Sequence, residues 1–85
     1  MRLTRTTVVD EVVVDGETVV MVDEQVMLLG PLAARVLAIL GAEERPASYV
    51  RETVFAEFGV PADPEAAWRA LLAELVARRL VRVEE

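Results

Sequence analysis

The side chains able to do chemistry are few in kind. Fifteen carboxylates and nine arginines carry the charge, Ser48 is the one serine and Tyr49 the one tyrosine, and cysteine, histidine, lysine and asparagine are absent. Without thiolates or imidazoles there is no disulfide, no iron–sulfur cluster and no ordinary zinc site. Without histidine no Ser-His-Asp relay can be assembled, and without lysine neither a Schiff base nor a phosphate-binding P-loop. Carboxylates alone could still act as an acid–base pair or bind calcium. However, Asp10-Glu11 falls in a predicted strand, Asp23-Glu24 and Asp15 fall in turns, and Glu43-Glu44 and Glu84-Glu85 are solvated runs. None of these is arranged for general acid–base work, and no Asp-rich loop has the spacing and glycine of a calcium site. Ser48, with no base nearby, reads as a helix-start residue. The expectation is a binding module, not an enzyme, with no cofactor and no metal.

The charge balance narrows the partners. The net charge is −6, with two arginines against six acids in residues 1–30 and seven against nine in residues 31–85. Nucleic-acid backbones are bound by clustered basic side chains, so no nucleic acid is expected. No apolar run reaches the roughly 18–20 residues of a membrane span. Arg2 and Arg5 are followed by Asp10 and Glu11, not by the apolar core of a signal peptide. A cytoplasmic protein with no membrane contact is expected. At 85 residues and 54% hydrophobic content, the chain reads as one ordered domain. A domain this small buries only roughly 60–65% of the surface its unfolded form exposes.

The elements that must position a binding site divide near Gly30. Thr7–Val14 and Glu17–Val22 are rich in Val and Thr and flank Asp15-Gly16, a two-residue type I′ hairpin signal. That turn pairs Val14 with Glu17, Val12 with Val19 and Asp10 with Met21. After Asp23-Glu24, Val26–Leu29 form a third strand, completing a three-stranded antiparallel meander. Pro31 then opens a helix whose apolar stripe is Leu32, Ala33, Val36, Leu37 and Leu40, with Gly41 as its cap. Ala47, Val50, Val54 and Phe58 repeat at helical spacing up to Gly59. Asp63-Pro64-Glu65 starts a third helix with an N-cap, a proline at the first position and an acid at the positive end of the dipole. The predicted helices span about residues 31–40, 47–58 and 63–79, with Leu80–Val83 as a short final strand. Residues 1–6 are expected to be a flexible tail, leaving 7–85 as the single domain.

Two features of this α+β chain offer a binding surface. Val26, Met27, Leu28 and Leu29 do not alternate, and the last strand of a meander is an edge with unpaired N–H and C=O groups. A peptide can add there as another strand, main-chain bonds giving affinity and side-chain pockets giving specificity. The residues assigned to it are Gln25, Val26, Met27, Leu28 and Leu29. On the third helix, Trp68, Leu71, Leu72 and Leu75 share one arc, from which Trp68, Leu71 and Leu75 are expected in the core. A groove beside that core would use the shoulder Arg69, Leu72 and Val76, or alternatively Leu71, Glu74 and Arg78.

The chain also resembles a known family. Leu29-Gly30-Pro31-Leu32-Ala33-Ala34-Arg35-Val36 is similar to that family's strand-to-helix junction, Leu-Asn-x-Thr-Ala-Ala-x-Ile. Val50, Val54 and Phe58-Gly59-Val60-Pro61 look like its second helix and following turn. Trp68, Leu71, Leu72 and Leu75 with Leu80-Val81 look like its last helix. The family is PqqD-like, the recognition elements that bind leader peptides of ribosomally synthesised, post-translationally modified peptides. The likeness covers roughly residues 10–83. It departs from the pattern at Gly30, where the family has Asn, at Ala67, where it has an acid, and at Arg79, where it has Gly.

The resemblance implies a winged helix-turn-helix-like fold. It further implies a leader peptide lying antiparallel on the third strand and against the last helix. The expected partners are therefore a precursor leader peptide and a separate maturation enzyme: a protease, a cyclase or a radical enzyme. Two other readings compete with this one. The same fold class serves nucleic-acid binding, and the same strand edge could pair two copies of the chain.

Overall fold

Asp15 and Gly16 both take positive φ, 51° and 80°, as a type I′ turn requires. The computed structural model describes residues 1–6, 10–22, 24–41 and 43–85. Its first strand is β1 (Arg2–Arg5), and the hairpin strands on either side of the Asp15-Gly16 turn are β2 (Asp10–Val14) and β3 (Glu17–Val22). Their ladder pairs Val14 with Glu17, Val12 with Val19 and Asp10 with Met21, as the turn type dictates. The part of the expected strand at residues 7–9 lies outside the described residues. A further strand, β4 (Gln25–Leu29), pairs antiparallel with β3 and completes the meander.

The helices follow their sequence signals. Helix α1 (Pro31–Leu40) starts at a proline and stops at Gly41, whose φ is 53°. Helix α2 (Ala47–Phe58), which directly follows the two-residue strand β5 (Arg45–Pro46), ends at Gly59. Helix α3 (Pro64–Ala77) is capped by Asp63, whose carboxylate accepts the Ala66 N–H at 3.2 Å. Strand β6 (Val81–Glu84) completes the described elements.

The expectation of one meander followed by three helices is corrected in its topology. The described residues form two three-stranded antiparallel sheets, β2-β3-β4 and β5-β1-β6, with strands before, between and after the helices. The expected tail at residues 1–6 is corrected with it. Strand β1 is the middle strand of the second sheet, paired with β5 and with β6 from Arg2–Glu84 to Arg5–Val81. Leu3 is 0% exposed, and burying that side chain is what a loose tail would forgo.

Helix α1 links the two sheets. It contacts β1 of one, β3 and β4 of the other, and both remaining helices. Its Val36, Leu37 and Leu40 join Leu3, Val20, Val50, Val54, Leu75 and Leu80 in the fully buried core. Trp68 and Leu71 are corrected from buried to partly buried: they pack against this core from its margin. The second-helix stripe also ends early, since Phe58 is exposed. The result is a small α+β, winged-helix-like arrangement.

Candidate functional site

The site is built on β4. It pairs with β3 alone among the described strands, so its other side is an open edge. Val22 faces Gln25 across a two-residue connection, which makes that pair a hydrogen-bonded one, and the pairs alternate from there. Gln25, Met27 and Leu29 therefore turn their main-chain groups to β3, while Val26 and Leu28 turn theirs to the open side. The side chains alternate as well. Leu29 is buried and Met27 partly buried against the core, whereas Val26 is 66% and Leu28 58% exposed.

The last turn of α3 lies beside this edge. A recess of about 370 Å³ is lined by Val22, Gln25 and Met27 on the strand side and by Ala77, Arg78 and Arg79 on the helix side. It brings together two of the expected strand residues, Gln25 and Met27, with Arg78 of the alternative helix shoulder. Glu74, one turn back on that shoulder, holds the Arg78 guanidinium at 3.1 Å. A guanidinium carries five N–H donors, so this pairing leaves capacity for an acceptor in the recess.

Leu71, on the same shoulder, opens instead on a mainly apolar recess of about 300 Å³ with Leu32, Phe55, Phe58 and Val60. On the other shoulder, Val76 lines an adjoining hollow with Thr6, Val81 and Val83 that shares Val22 and Arg79 with the recess but includes no residue of β4. Leu72 packs against the core, and Arg69 is exposed with Glu65 at 3.5 Å.

The helix end that forms the recess wall is shaped by a backbone motif. Arg79 takes φ 61°, its N–H donates to the Val76 carbonyl, and the Leu80 N–H donates to the Leu75 carbonyl at 2.9 Å. This is a Schellman stop, completed by burial of both Leu75 and Leu80. Glycine is the usual residue at that position, so Arg79 keeps the turn that the resemblance led one to expect of a glycine. The carbonyl of Arg79 also accepts the Thr6 hydroxyl. Gly30, the other junction departure, serves as the N-cap of α1 with no side-chain hydrogen bond.

Sequence reasoning missed Val22, Ala77 and Arg79 as lining residues, and the recess around Phe58 and Val60. The Gly59-Val60-Pro61 break was the available signal for the latter, because it leaves apolar side chains on a loop. Among the described residues no group of three or more acidic side chains is gathered as a metal site needs. No helix among them is long and apolar enough to cross a membrane. Comparison with known proteins yields no match, whether to a family model, a curated protein or a solved structure.

Proposed function

We propose that this chain is a non-catalytic adaptor that captures the leader peptide of a ribosomally synthesised, post-translationally modified peptide. The leader adds to β4 as a fourth strand of its sheet, and a separate maturation enzyme receives the attached core peptide. The observation that carries this reading is the open edge of β4 beside the last turn of α3, with Val26 and Leu28 offering main-chain groups and Met27 and Arg78 meeting in one recess. Main-chain pairing supplies affinity for any extended peptide, and the recess supplies selection. Arg78 favours an acidic leader side chain there. The family resemblance adds the class of peptide, and tethering a substrate to an enzyme raises its local concentration.

The test is an amide-shift titration with the leader encoded by a precursor gene neighbouring that of this protein. Shifts should concentrate on residues 24–30 and the last turns of α3. Leu28→Pro removes an N–H on the open side while leaving the β3 ladder intact. It should weaken leader binding by about tenfold or more at nearly unchanged stability. Shifts confined to β2 or α2 would move the site elsewhere, and self-association that protects β4 would assign the edge to a second copy.

A further inference from the structure

The core does not account for the outer face of the β2-β3-β4 sheet. Residues opposite one another in an antiparallel pair point to the same side. The register therefore sets Val12, Val19 and Leu28 in one row and Met21 and Val26 in the next, with Val14 beside Glu17 near the turn. Val20, Val22 and Leu29 face the other way, into the core. Val12 is 54% and Val14 52% exposed, alongside the exposed Val26 and Leu28. An antiparallel sheet with one wet face normally carries polar residues on it. Here the outer face is largely apolar, whereas the other face is buried along β3 and at Leu29 and leaves Val13 of β2 66% exposed beyond the core. The patch crosses three strands, and contiguous exposed apolar surface rimmed by polar residues marks an interaction site.

The charge around the patch indicates what covers it. Residues 10–29 hold Asp10, Glu11, Asp15, Glu17, Asp23 and Glu24 and no basic residue, so this segment alone carries −6, equal to the net charge of the whole chain. Arg5 answers Glu11 at 2.8 Å. Glu17 flanks the patch, and the exposed Asp15 and Glu24 sit in turns at opposite ends of β3. Two copies stacked face to face would lie ~10 Å apart, near the ~8 Å screening length at physiological salt, with acid border against acid border. An anionic lipid surface meets the same repulsion. An apolar stripe bordered by Lys and Arg satisfies both the floor and the rim.

We propose that this outer face docks a cationic amphipathic segment of a partner protein. Val12, Val14, Val19, Met21, Val26 and Leu28 form its apolar floor, and Asp15, Glu17 and Glu24 its acidic rim. The face lies on the side of the sheet away from the core and from the recess beside α3, so it goes beyond strand addition at β4 and stands without it.

The test titrates the full chain with a fluorescent Leu/Lys amphipathic helical peptide at physiological salt. The controls are a Leu/Glu peptide of the same apolar pattern and a Leu/Lys peptide of the same composition in scrambled order. The amphipathic Leu/Lys peptide should bind, with amide shifts centred on residues 12, 14, 19, 21, 26 and 28, and both controls should bind at least about tenfold more weakly. The double variant Val12→Thr/Val14→Thr keeps the β-branched shape at exposed positions. It should lose about tenfold in affinity at an unchanged thermal midpoint. Equal binding of the scrambled peptide would reduce the effect to bulk charge and overturn the proposal, as would shifts centred elsewhere. Absence of peptide binding together with dimerisation that the double variant abolishes would overturn it in favour of a second copy.

Discussion

Single residues decide where this small core holds. Leu75 and Trp68 lie two turns apart on α3, yet Leu75 is fully buried and Trp68 packs at the margin beside Ala47, Ser48 and Arg51. Truncating a buried leucine removes its transfer energy and leaves a cavity, whereas a partly buried indole at the margin has kept part of its surface in water. Leu75→Ala should therefore cost about 3 kcal/mol and Trp68→Ala about 2 kcal/mol, despite the larger side chain removed. Urea midpoints of the two variants check the order, and a larger loss at Trp68 would show the indole to be the true centre of the helix packing. Helical spacing put both residues on one arc, which was right. An arc says which way a side chain points and not how deep the neighbouring element lets it sink.

Among the elements, the clearest lesson comes from β1. The sequence Arg2-Leu3-Thr4-Arg5 offers a single apolar residue between charges, and nothing local marks it as a strand. Its partners are β5 and β6, far along the chain, and its register is set by them. Leu3→Ala should accordingly cost about 3 kcal/mol in chemical denaturation, where a tail residue would cost almost nothing. An unchanged midpoint would restore the tail. The β2-β3-β4 meander and the three helices were legible because their signals are local: Asp15-Gly16 fixes a hairpin register, Gly41 and Gly59 stop helices, and Asp63-Pro64 starts one. Of the second sheet only β6 was legible, as the expected strand at Leu80–Val83; β1 and β5, of four and two residues, carry too short a pattern to read. The same distinction holds for the site. The edge on β4 followed from meander topology, but the choice of helix shoulder depended on how α3 is rotated against the sheet. A helical wheel does not contain that angle. Arg78 rather than Val76 borders β4 for this reason.

At the scale of the whole molecule, the charge distribution weighs against the nucleic-acid reading. Winged-helix arrangements bind DNA when one face gathers basic side chains against the phosphates. Here the arginines are dispersed and matched. Arg35 meets Glu57 at 2.7 Å, Arg51 meets Glu65 at 3.4 Å, Arg69 meets the same Glu65 at 3.5 Å and Arg78 meets Glu74 at 3.1 Å. Arg2, Arg45 and Arg82 are likewise paired with Glu44, Glu43 and Glu84. A phosphate would have to displace a carboxylate at each, and surface pairs of this kind are worth only about 0–1 kcal/mol, so pairing alone does not forbid it. The stronger obstacle is the block of six acids across residues 10–29, which gives the β2-β3-β4 sheet a charge that repels phosphates. The expected outcome of a mobility-shift assay with genomic fragments at physiological salt is no retained, sequence-selective complex. Any weak association seen at low salt should vanish as salt rises, with the shallow dependence of few phosphate contacts. A complex that survives physiological salt and discriminates among sequences would make the chain a nucleic-acid binder, and the open edge of β4 would then need another explanation.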